Sequence, residues 1–325
     1  MNPAFGALGT LETSGTPGTL GNLGTLGNLG TPGNLGTLGN SGTLGTQSSQ
    51  ASLAGLGRGQ VHLHHISLDQ FQDPSQQAGT ALVEQTNSLN AHELQRSAGF
   101  LHALDRQHFI TARWSLRALL GGYLNLAPAE VPLTVTPMGK PTLSPPHHDL
   151  HFNLSHTGGL ALLAATLGRS LGIDLETVVP LPEVLGVAAR VCTDRELTEL
   201  RSVSAQMRTA VFYRLWTRRE AALKALGTGL GGPPEQVEVD GGPARSAWLR
   251  ALGGSPKSAA SALATDLDVS PGLQAALVVC DGATLQLRLF SFVGTGPRQG
   301  HGPESDHSSA EQKKPEAADR LSTTR

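Results

Sequence analysis

Glycine recurs every third residue from Gly15 to Gly45, as in the run GTLGNLGTLGNLGTPGNLGTLGNSG. A collagen-like triple helix has the same glycine spacing, but it needs far more proline than Pro17 and Pro32 supply. A segment of this composition cannot bury enough apolar surface to offset the entropy of ordering. We therefore predict a disordered low-complexity arm over residues 1–58, which confines the folded core to the rest of the chain.

The other end of the chain has a similar character. Residues 294–325 are polar and without apolar periodicity, which predicts a disordered tail.

Seven of the eight phenylalanines and all three tryptophans lie between Phe71 and Phe292. A folded body of roughly 230 residues is long enough for one large or two small cores. We predict two similar subdomains, an N-terminal one over residues 59–172 and a C-terminal one over residues 173–293.

Charge and cysteine content exclude several classes of protein. The net charge of −2 and the pI near 6.6 give no indication of nucleic-acid binding. Cys192 and Cys280 are too few for a disulfide framework, and no apolar run reaches the length of a membrane span. The N-terminus also lacks the features of a signal peptide. We expect a reduced cytoplasmic protein with neither nucleic acid nor membrane as a partner.

Residues 190–224 are locally basic, with eight lysines and arginines against four acidic residues. A solvated helix surface is the common explanation of such a segment, and a basic face for a phosphate ligand or an acidic partner is the other.

Apolar spacing predicts two long helices. The first covers residues 105–124, and the second covers residues 205–226 and ends at Gly227. Between them, the segment VCTDREL has a capping-box pattern, with Thr193 as the N-cap of a further helix and Glu196 as its partner. The GTGL sequence after the second helix is predicted to be a loop.

Strands are predicted between and after these helices. PLTVT is a short strand candidate, and the alanine-rich segment 160–167 is predicted as a strand although it also fits a helix. The other predictions are a strand at 150–154, a turn at 155–159, a strand at 171–176, and a closing hairpin of QAALVVC and LQLRLFSF around Asp281-Gly282. Helix followed by strands thus occurs twice. This order indicates an α+β fold with internal duplication, not a doubly wound parallel sheet.

Two carboxylates interrupt the apolar strand SLGIDLE. Because side chains alternate along a strand, Asp174 and Glu176 share one face while Ile173 and Leu175 share the other. Neighbouring carboxylates repel each other unless a cation or a shared proton intervenes. Mg²⁺ commonly takes one or two carboxylates together with water and substrate phosphate. Taken alone, the segment favours an edge strand with an acidic solvent face over a metal site.

The segment WTRREAALKALGTGL changes that balance. Glu220 and Lys224 are four residues apart and lie on one helix face, with Arg219 beside them. A surface ion pair is the ordinary interpretation of this spacing. An acid flanked by two cations, ahead of a glycine-rich loop, also suits a third metal ligand and two phosphate contacts.

FNLSHTGG places a hydroxyl and an imidazole, Ser155 and His156, at the end of a strand. No G-x-S-x-G surrounds Ser155, so a serine hydrolase is not indicated. The histidine cluster of His147, His148, His151 and His156 has no common zinc-site spacing and no nearby cysteine pair.

Together these segments resemble the 4′-phosphopantetheinyl transferases of the surfactin-synthetase-activating (Sfp) type. Five motifs of that family occur in the same order over roughly residues 100 to 290. They are GKP at 139–141, FNLSH at 152–156, GIDLE at 172–176, CTDRE at 192–196, and WTRREAALKALGTGL at 216–230. Any one of them is weak, and five in register are specific.

The resemblance implies an α+β fold of two similar subdomains related by a pseudo-twofold axis, in a monomer, with coenzyme A in the cleft between them. It implies Mg²⁺ on Asp174, Glu176 and Glu220. It implies that Arg117, Lys140, Ser155 and His156 hold the nucleotide and its 3′-phosphate, and that Arg219 and Lys224 contact the pyrophosphate.

The implied reaction transfers phosphopantetheine to a serine of an apo acyl or peptidyl carrier protein and releases adenosine 3′,5′-bisphosphate. Such a transfer needs positioning, cations and a proton acceptor. Glu220, or a metal-bound water beside it, is the candidate base, and Lys224 is expected to stabilise the leaving group. A Mg²⁺-dependent phosphohydrolase acting on nucleotides and a non-catalytic carrier-binding scaffold are the alternatives.

Three positions depart from the family pattern. Arg219 replaces the usual lysine, which keeps the charge but changes the geometry of a phosphate contact. Cys192 replaces an aromatic residue, and His108 stands where arginine is common. None of the three removes an implied metal ligand.

Overall fold

The computed structural model of the chain describes residues 55–69, 76–228, 236–252, 261–281 and 286–292. The predicted glycine-triplet arm up to residue 54, the predicted tail 294–325 and the second half of the GTGL loop lie outside these residues.

The described elements alternate between helical and extended segments. The helices are α1 Gln76–Asn87, α2 Ala91–Ala98, α3 Ala103–Leu124, α4 Val184–Val191, α5 Asp194–Ser202 and α6 Ala205–Leu226, with short 3-10 turns at Pro128–Glu130 and His147–Asp149. The strands are β1 Gln60–Ser67, β2 Leu133–Val135, β3 Pro141–Leu143, β4 Leu150–Thr157, β5 Leu160–Leu167, β6 Leu171–Thr177, β7 Val237–Glu238, β8 Ser246–Trp248, β9 Ala251–Leu252, β10 Leu263–Leu267, β11 Leu273–Val279 and β12 Gln286–Phe292. No described helix is both long enough and apolar enough to cross a membrane.

The two long helices and their boundaries are confirmed. Both α3 and α6 are 22 residues long. Each ends at a residue in the left-handed region, Asn125 with φ 56° and Gly227 with φ 73°, whose N–H bonds back to the last turn. The predicted capping box is also present, since the Thr193 hydroxyl accepts from the Glu196 N–H and the Glu196 carboxylate accepts from the Thr193 N–H.

Two four-stranded sheets form the body of the fold. The first sheet has the order β12-β1-β5-β4, and the second has the order β6-β11-β10-β8. Short ladders join β2 to β3 and β7 to β9. Mixed helices and sheets confirm the α+β class, with one 22-residue helix in each half of the described chain.

The predicted closing hairpin of β11 and β12 is wrong. β11 pairs antiparallel with β6 and β10, whereas β12 pairs parallel with β1 in the first sheet. The reason lies in packing, because Phe292 at the end of β12 is buried in the cluster under α3 and lies 5.6 Å from the Trp114 ring. The division of the chain into subdomains 59–172 and 173–293 stays a prediction, and β12 crosses it.

The predicted turn at 155–159 is also too long. The β4–β5 ladder continues through the Thr157–Leu160 pair, so only Gly158 and Gly159 make the connection. Gly158 has φ +52°, the conformation that a two-residue hairpin loop requires and glycine adopts easily. Ser155 and His156 therefore belong to the strand, and their side chains point to opposite faces.

Three layers of packing position the site. Apolar residues of α3, including Leu116 and Leu120, pack on one face of the first sheet with Ile66 and Phe152. A second cluster, which includes Val61, Leu162, Ile173 and Leu277, joins the first sheet to the second. Helix α6 packs on the remaining face of the second sheet. The predicted alternation along β6 is therefore confirmed, because Ile173 and Leu175 enter the apolar cluster and Asp174 faces α6.

Strands β4 and β6, one from each sheet, lie side by side. The Asn153 side-chain oxygen accepts a hydrogen bond of 2.8 Å from the Ile173 N–H, and the Thr157 and Thr177 hydroxyls are 3.0 Å apart. No β-ladder joins these two strands in the described residues. The seam between them brings residues of both halves of the chain to the C-terminal half of α6.

Candidate active site

Ser155, Asp174 and Lys224 converge at this seam. The Lys224 Nζ donates to Asp174 Oδ1 at 2.5 Å and to the Ser155 hydroxyl at 3.2 Å. The Ser155 hydroxyl in turn donates to Asp174 Oδ1 at 3.2 Å. Strand β4, strand β6 and helix α6 thus each contribute one polar side chain to a single cluster. Asp174 and Ser155 are buried, while Lys224 keeps contact with solvent.

Gly172 allows α6 to approach β6 closely. A Cβ at this position would overlap the Ala221 carbonyl oxygen and the Ala225 nitrogen, and would lie 2.9 Å from the Lys224 carbonyl carbon. The backbone that carries Glu220 and Lys224 can therefore lie directly on the strand that carries Asp174 and Glu176. Lys140 strengthens the same contact, since its Nζ donates to the Leu171 carbonyl at 3.1 Å and to the Lys224 carbonyl at 2.6 Å.

Glu176 is oriented by Trp216. The indole N–H of Trp216 donates to Glu176 Oε1 at 3.1 Å, and the indole ring stacks on Phe212 with a centroid distance of 6.3 Å. Trp216 is itself buried, so it holds one carboxylate oxygen of Glu176 in a fixed position.

Glu220 adds a third carboxylate to those of Asp174 and Glu176. Its Oε1 atom is buried and accepts no hydrogen bond, and the same is true of Asp174 Oδ2. Burial, the negative charge of Asp174 and that of Glu176 raise the pKa of Glu220 to about 8. Burial and the negative charge of Asp174 likewise raise the pKa of Glu176 to about 7. The site therefore gathers more negative charge than its own hydrogen bonds satisfy.

A divalent cation fits this donor set. Among the described residues, no three His, Cys, Asp or Glu side chains are arranged as a ready-made metal cluster. The two unpartnered carboxylate oxygens, together with the raised pKa values, are what a cation-binding site presents before the cation enters. Oxygen donors of this kind suit Mg²⁺. The roles of Asp174, Glu176 and Glu220 as metal ligands stay a prediction.

Replacement of Trp216 by phenylalanine is expected to weaken Mg²⁺ binding by about tenfold, because the carboxylate of Glu176 loses the hydrogen bond that orients it. Phenylalanine keeps the stacking on Phe212, so the fold should persist. Isothermal titration of Mg²⁺ measures the effect, with the exposed Trp248→Phe as the matched control. Equal Mg²⁺ affinities in the two variants would contradict the orienting role.

The raised pKa values also predict a pH dependence of stability. A carboxyl group with a raised pKa keeps its proton in the folded state where the unfolded chain has lost it, so its contribution to stability falls as pH rises from about 4.5 towards 8. Without metal, the midpoint of thermal unfolding should fall less between about pH 6 and 8.5 in Glu220→Gln than in the wild type. Mg²⁺ should stabilise the wild type more at the higher pH, where the carboxylates are ionised. Parallel midpoint curves for both proteins would refute this account.

A patch of positive charge lies beside the cluster. His156 is on the strand face opposite to Ser155, and its pKa is lowered by desolvation of the ring and then by nearby basic side chains. In decreasing order of effect these side chains are Lys224, His108 and Arg96. His108 Nε2 lies 2.8 Å from Asp69 Oδ1. Sequence reasoning missed Arg96, which stands on α2 far from every motif.

Two residues that are predicted to contact the ligand, Arg117 and Arg219, have buried ion-pair partners in the protein. The Arg117 guanidinium is 2% exposed, donates to Glu93 and approaches the Pro128 and Val131 carbonyls. Arg219 is buried and forms an ion pair with Glu196, whose other oxygen accepts from the Val239 N–H at 2.8 Å. Arg219 also acts electrostatically on Glu220, and its contact with the pyrophosphate and that of Arg117 with the nucleotide stay predictions.

Comparison with known families identifies the chain. A family model described as the 4′-phosphopantetheinyl transferase superfamily matches residues 170–278, and one described as the N-terminal part of 4′-phosphopantetheinyl transferase matches residues 73–168. The 4′-phosphopantetheinyl transferase HetI of Nostoc is 37% identical over 193 residues, which are 59% of this chain and 78% of that protein. This chain belongs to the 4′-phosphopantetheinyl transferase superfamily.

Other members of the superfamily are similar over shorter lengths. The human L-aminoadipate-semialdehyde dehydrogenase-phosphopantetheinyl transferase is 32% identical over 163 residues, covering 47% of this chain and 53% of the human protein. The 4′-phosphopantetheinyl transferase of Bacillus subtilis is 28% identical over 152 residues, covering 47% of this chain and 66% of that protein. Arg96, His108 and Asp69 lie outside the five sequence motifs, whereas Ser155, Asp174 and Lys224 lie within them.

Proposed function

We propose that this member of the 4′-phosphopantetheinyl transferase superfamily moves phosphopantetheine from coenzyme A to a serine of an apo acyl or peptidyl carrier protein. The observation that carries the proposal is the pair of buried, unpartnered carboxylate oxygens of Asp174 and Glu220 beside the Lys224 ammonium. A divalent cation would supply the positive charge that this pair lacks, and the pyrophosphate would bind to that cation. The family membership supports the choice of donor.

Asp174, Glu176 and Glu220 would hold Mg²⁺, and the chemistry that this ion would supply is neutralisation of charge on the pyrophosphate. Other residues of the chain position these carboxylates and Lys224. Trp216 holds Glu176, and Gly172 lets α6 lie close enough for Lys224 to reach Asp174. Lys140 binds the Lys224 carbonyl and so fixes the end of the helix.

The transfer requires one proton to leave the attacking serine. The serine oxygen of the carrier protein forms a bond to the phosphorus that bears the pantetheine arm, and the bond from that phosphorus to the bridging oxygen of the pyrophosphate breaks. Glu220 is the proposed proton acceptor, because its buried Oε1 accepts no hydrogen bond from the protein and is available to take the proton. Lys224 stabilises the charge on the departing adenosine 3′,5′-bisphosphate.

Binding of the nucleotide end is assigned to the basic patch. Ser155 and His156 lie at the end of β4, and Arg96 and His108 extend positive charge away from Lys224 towards α2 and α3. Arg117 and Arg219 pair with Glu93 and Glu196, and the proposal keeps Arg117 as a contact of the nucleotide and Arg219 as a contact of the pyrophosphate. The proposal includes a monomeric, cytoplasmic enzyme of the surfactin-synthetase-activating type with pseudo-dimeric architecture.

The test is to incubate the protein with coenzyme A, Mg²⁺ and a panel of apo carrier proteins, and to weigh the products by mass spectrometry. A carrier protein that gains the mass of phosphopantetheine, with equimolar adenosine 3′,5′-bisphosphate, is the expected result. Cleavage of coenzyme A without a protein acceptor would indicate a phosphohydrolase instead. Carrier binding without any gain of mass would indicate a scaffold.

A further inference from the structure

Two buried histidines of β1 share one tyrosine hydroxyl at the end of α3. His62 and His64 are two residues apart, so their side chains lie on the same face of the strand. His62 Nδ1 is 2.9 Å and His64 Nε2 is 2.8 Å from the hydroxyl oxygen of Tyr123, in the last turn of α3. Two imidazole nitrogens and a phenol oxygen therefore converge. These three residues are called the His–Tyr–His cluster below.

The hydrogen bonds of the cluster leave two of its nitrogens unsatisfied. A tyrosine hydroxyl carries one proton, so it donates to one ring and accepts the N–H of the other. Among the described residues, the outward nitrogens His62 Nε2 and His64 Nδ1 are buried without a hydrogen-bond partner. Because each neutral imidazole carries one proton, one of these atoms is an unpaired donor and the other is an unpaired acceptor. Such atoms cost stability, so packing alone does not account for two histidines here.

The two imidazoles are held in place and kept uncharged. Their strand, β1, lies between β12 and β5 in the first sheet. The Phe290 ring of β12 stacks on His64 with a centroid distance of 5.1 Å and lies 4.8 Å from the His62 ring. Burial, and then the charge of Arg288, lowers the pKa of His62 to about 4. Burial, and then His62, lowers the pKa of His64 to about 3. Both rings are therefore neutral near neutral pH, which is the form that binds a metal.

We propose that the His–Tyr–His cluster binds Zn²⁺ or a similar late first-row divalent ion, at a site separate from the carboxylates of Asp174 and Glu220. Imidazole suits these ions, whereas Mg²⁺ takes oxygen ligands. Among the described residues no group of three His, Cys, Asp or Glu side chains forms a metal site, and here the third donor is the Tyr123 oxygen.

The spacing of the three donor atoms is close to that of a zinc site. Ligand atoms around a tetrahedral Zn²⁺ with bonds of about 2.0 Å lie about 3.3 Å apart. The two nitrogen–oxygen contacts, at 2.9 and 2.8 Å, need to lengthen by about half an ångström to admit the ion. Tyr123 and Phe290, which cover the imidazoles, are themselves partly exposed and give the ion a path to the cluster.

Binding of the ion moves two protons. Burial raises the pKa of Tyr123, so its hydroxyl is protonated in the metal-free protein. The ion replaces that proton, which leaves to solvent, and the phenolate oxygen binds the ion. The ring that donated to the hydroxyl shifts its proton to its outward nitrogen, so both inward nitrogens offer lone pairs. The ion then joins the end of α3 to a central strand of the first sheet and stabilises the folded state.

The first experiment titrates Zn²⁺ into the full chain, without an affinity tag, in excess Mg²⁺ to compete at the carboxylates. The wild type should bind one equivalent of Zn²⁺, release one proton and unfold at a higher temperature. Tyr123→Phe keeps the ring and should weaken Zn²⁺ binding more than tenfold, because even the loss of an outer-shell partner costs a metal site about 10–100-fold. His147→Gln/His148→Gln is the matched control, since it removes two histidines from a 3-10 turn without buried residues. This variant should bind Zn²⁺ as the wild type does.

The second experiment uses Cu²⁺ as a spectroscopic probe of the tyrosine. Cu²⁺ bound to a phenolate has a visible charge-transfer band that Cu²⁺ bound to imidazoles alone lacks. The wild type should show this band, and Tyr123→Phe should lose it while it still binds Cu²⁺ weakly. A purely structural tyrosine would give no such band in either protein.

Four results would overturn the inference. They are no saturable Zn²⁺ binding by the wild type in excess Mg²⁺, equal Zn²⁺ affinity in Tyr123→Phe, loss of binding in the His147→Gln/His148→Gln control, and absence of the charge-transfer band from the wild type. None of these measurements uses coenzyme A or a carrier protein. Their outcome is therefore independent of the transferase proposal.

Discussion

Asp174→Asn is expected to lower the rate of carrier-protein modification at least a thousandfold while the protein stays folded. Asparagine has the same shape and keeps an oxygen that accepts from Lys224 and Ser155. It removes the charge that faces the centre of the carboxylate cluster. Charge stabilisation at a phosphoryl centre supplies most of the acceleration in such transfers. Loss of a cation ligand should therefore lower the rate of the chemical step directly.

The variant also has an effect that does not depend on activity. Asp174 raises the pKa of both Glu176 and Glu220 by repulsion, so its neutralisation should move both pKa values down towards their ordinary range. Carbon-13 NMR of the glutamate carboxyl groups, followed across pH, reports this shift. A purely structural aspartate at some distance from the glutamates would leave their titrations unchanged.

The matched control is Asp268→Asn. Asp268 follows β10 of the same sheet, is largely exposed and pairs with Arg245 on the surface. Its neutralisation should leave transfer, Mg²⁺ affinity and unfolding within the error of the wild type. Near wild-type transfer by Asp174→Asn, alongside an inert control, would mean that the cluster does not hold a cation during catalysis.

Local patterns predicted much of the fold because they are set by local physics. Alternation along β6 places Asp174 and Glu176 opposite Ile173, whatever the rest of the chain does. The capping box at Thr193 and the left-handed stop at Gly227 likewise depend on a few adjacent residues.

Contacts between segments that are distant in the chain could not be predicted from the sequence. β12 pairs with β1 and not with its predicted hairpin partner β11, because Phe292 is buried under α3. No sequence feature near residue 292 predicts that burial. The family resemblance predicts that Arg117 holds the nucleotide, and its ion pair with Glu93 was not predicted. Its burial beside Glu93 depends on a helix 24 residues earlier in sequence. Arg96 was missed for the same reason, since only the fold of α2 onto α3 brings it towards His156.

Gly172→Ala is expected to lower the free energy of unfolding by about 3 kcal/mol, because overpacking forces the backbone of α6 away from β6. The added methyl group meets the Ala221 oxygen, the Ala225 nitrogen and the Lys224 carbonyl carbon, all of them backbone atoms that no rotamer change can move aside. Urea unfolding measures the loss. The control is Gly186→Ala in α4, where a Cβ meets nothing within 4 Å. Alanine there should raise stability by about 0.5–1 kcal/mol, the usual gain over glycine within a helix.

Gly172→Ala also tests whether activity depends on the geometry of the site or only on which residues it contains. Gly172→Ala leaves every polar residue in place but shifts the helix that carries Glu220 and Lys224 against the strand that carries Asp174. A displacement of about 1 Å at a reacting centre costs on the order of a hundredfold in rate. We therefore expect kcat to fall by about that factor in the fraction of protein that remains folded, with Mg²⁺ binding weakened in parallel. Full stability with full activity would show that α6 and β6 are farther apart than the contacts of Gly172 require.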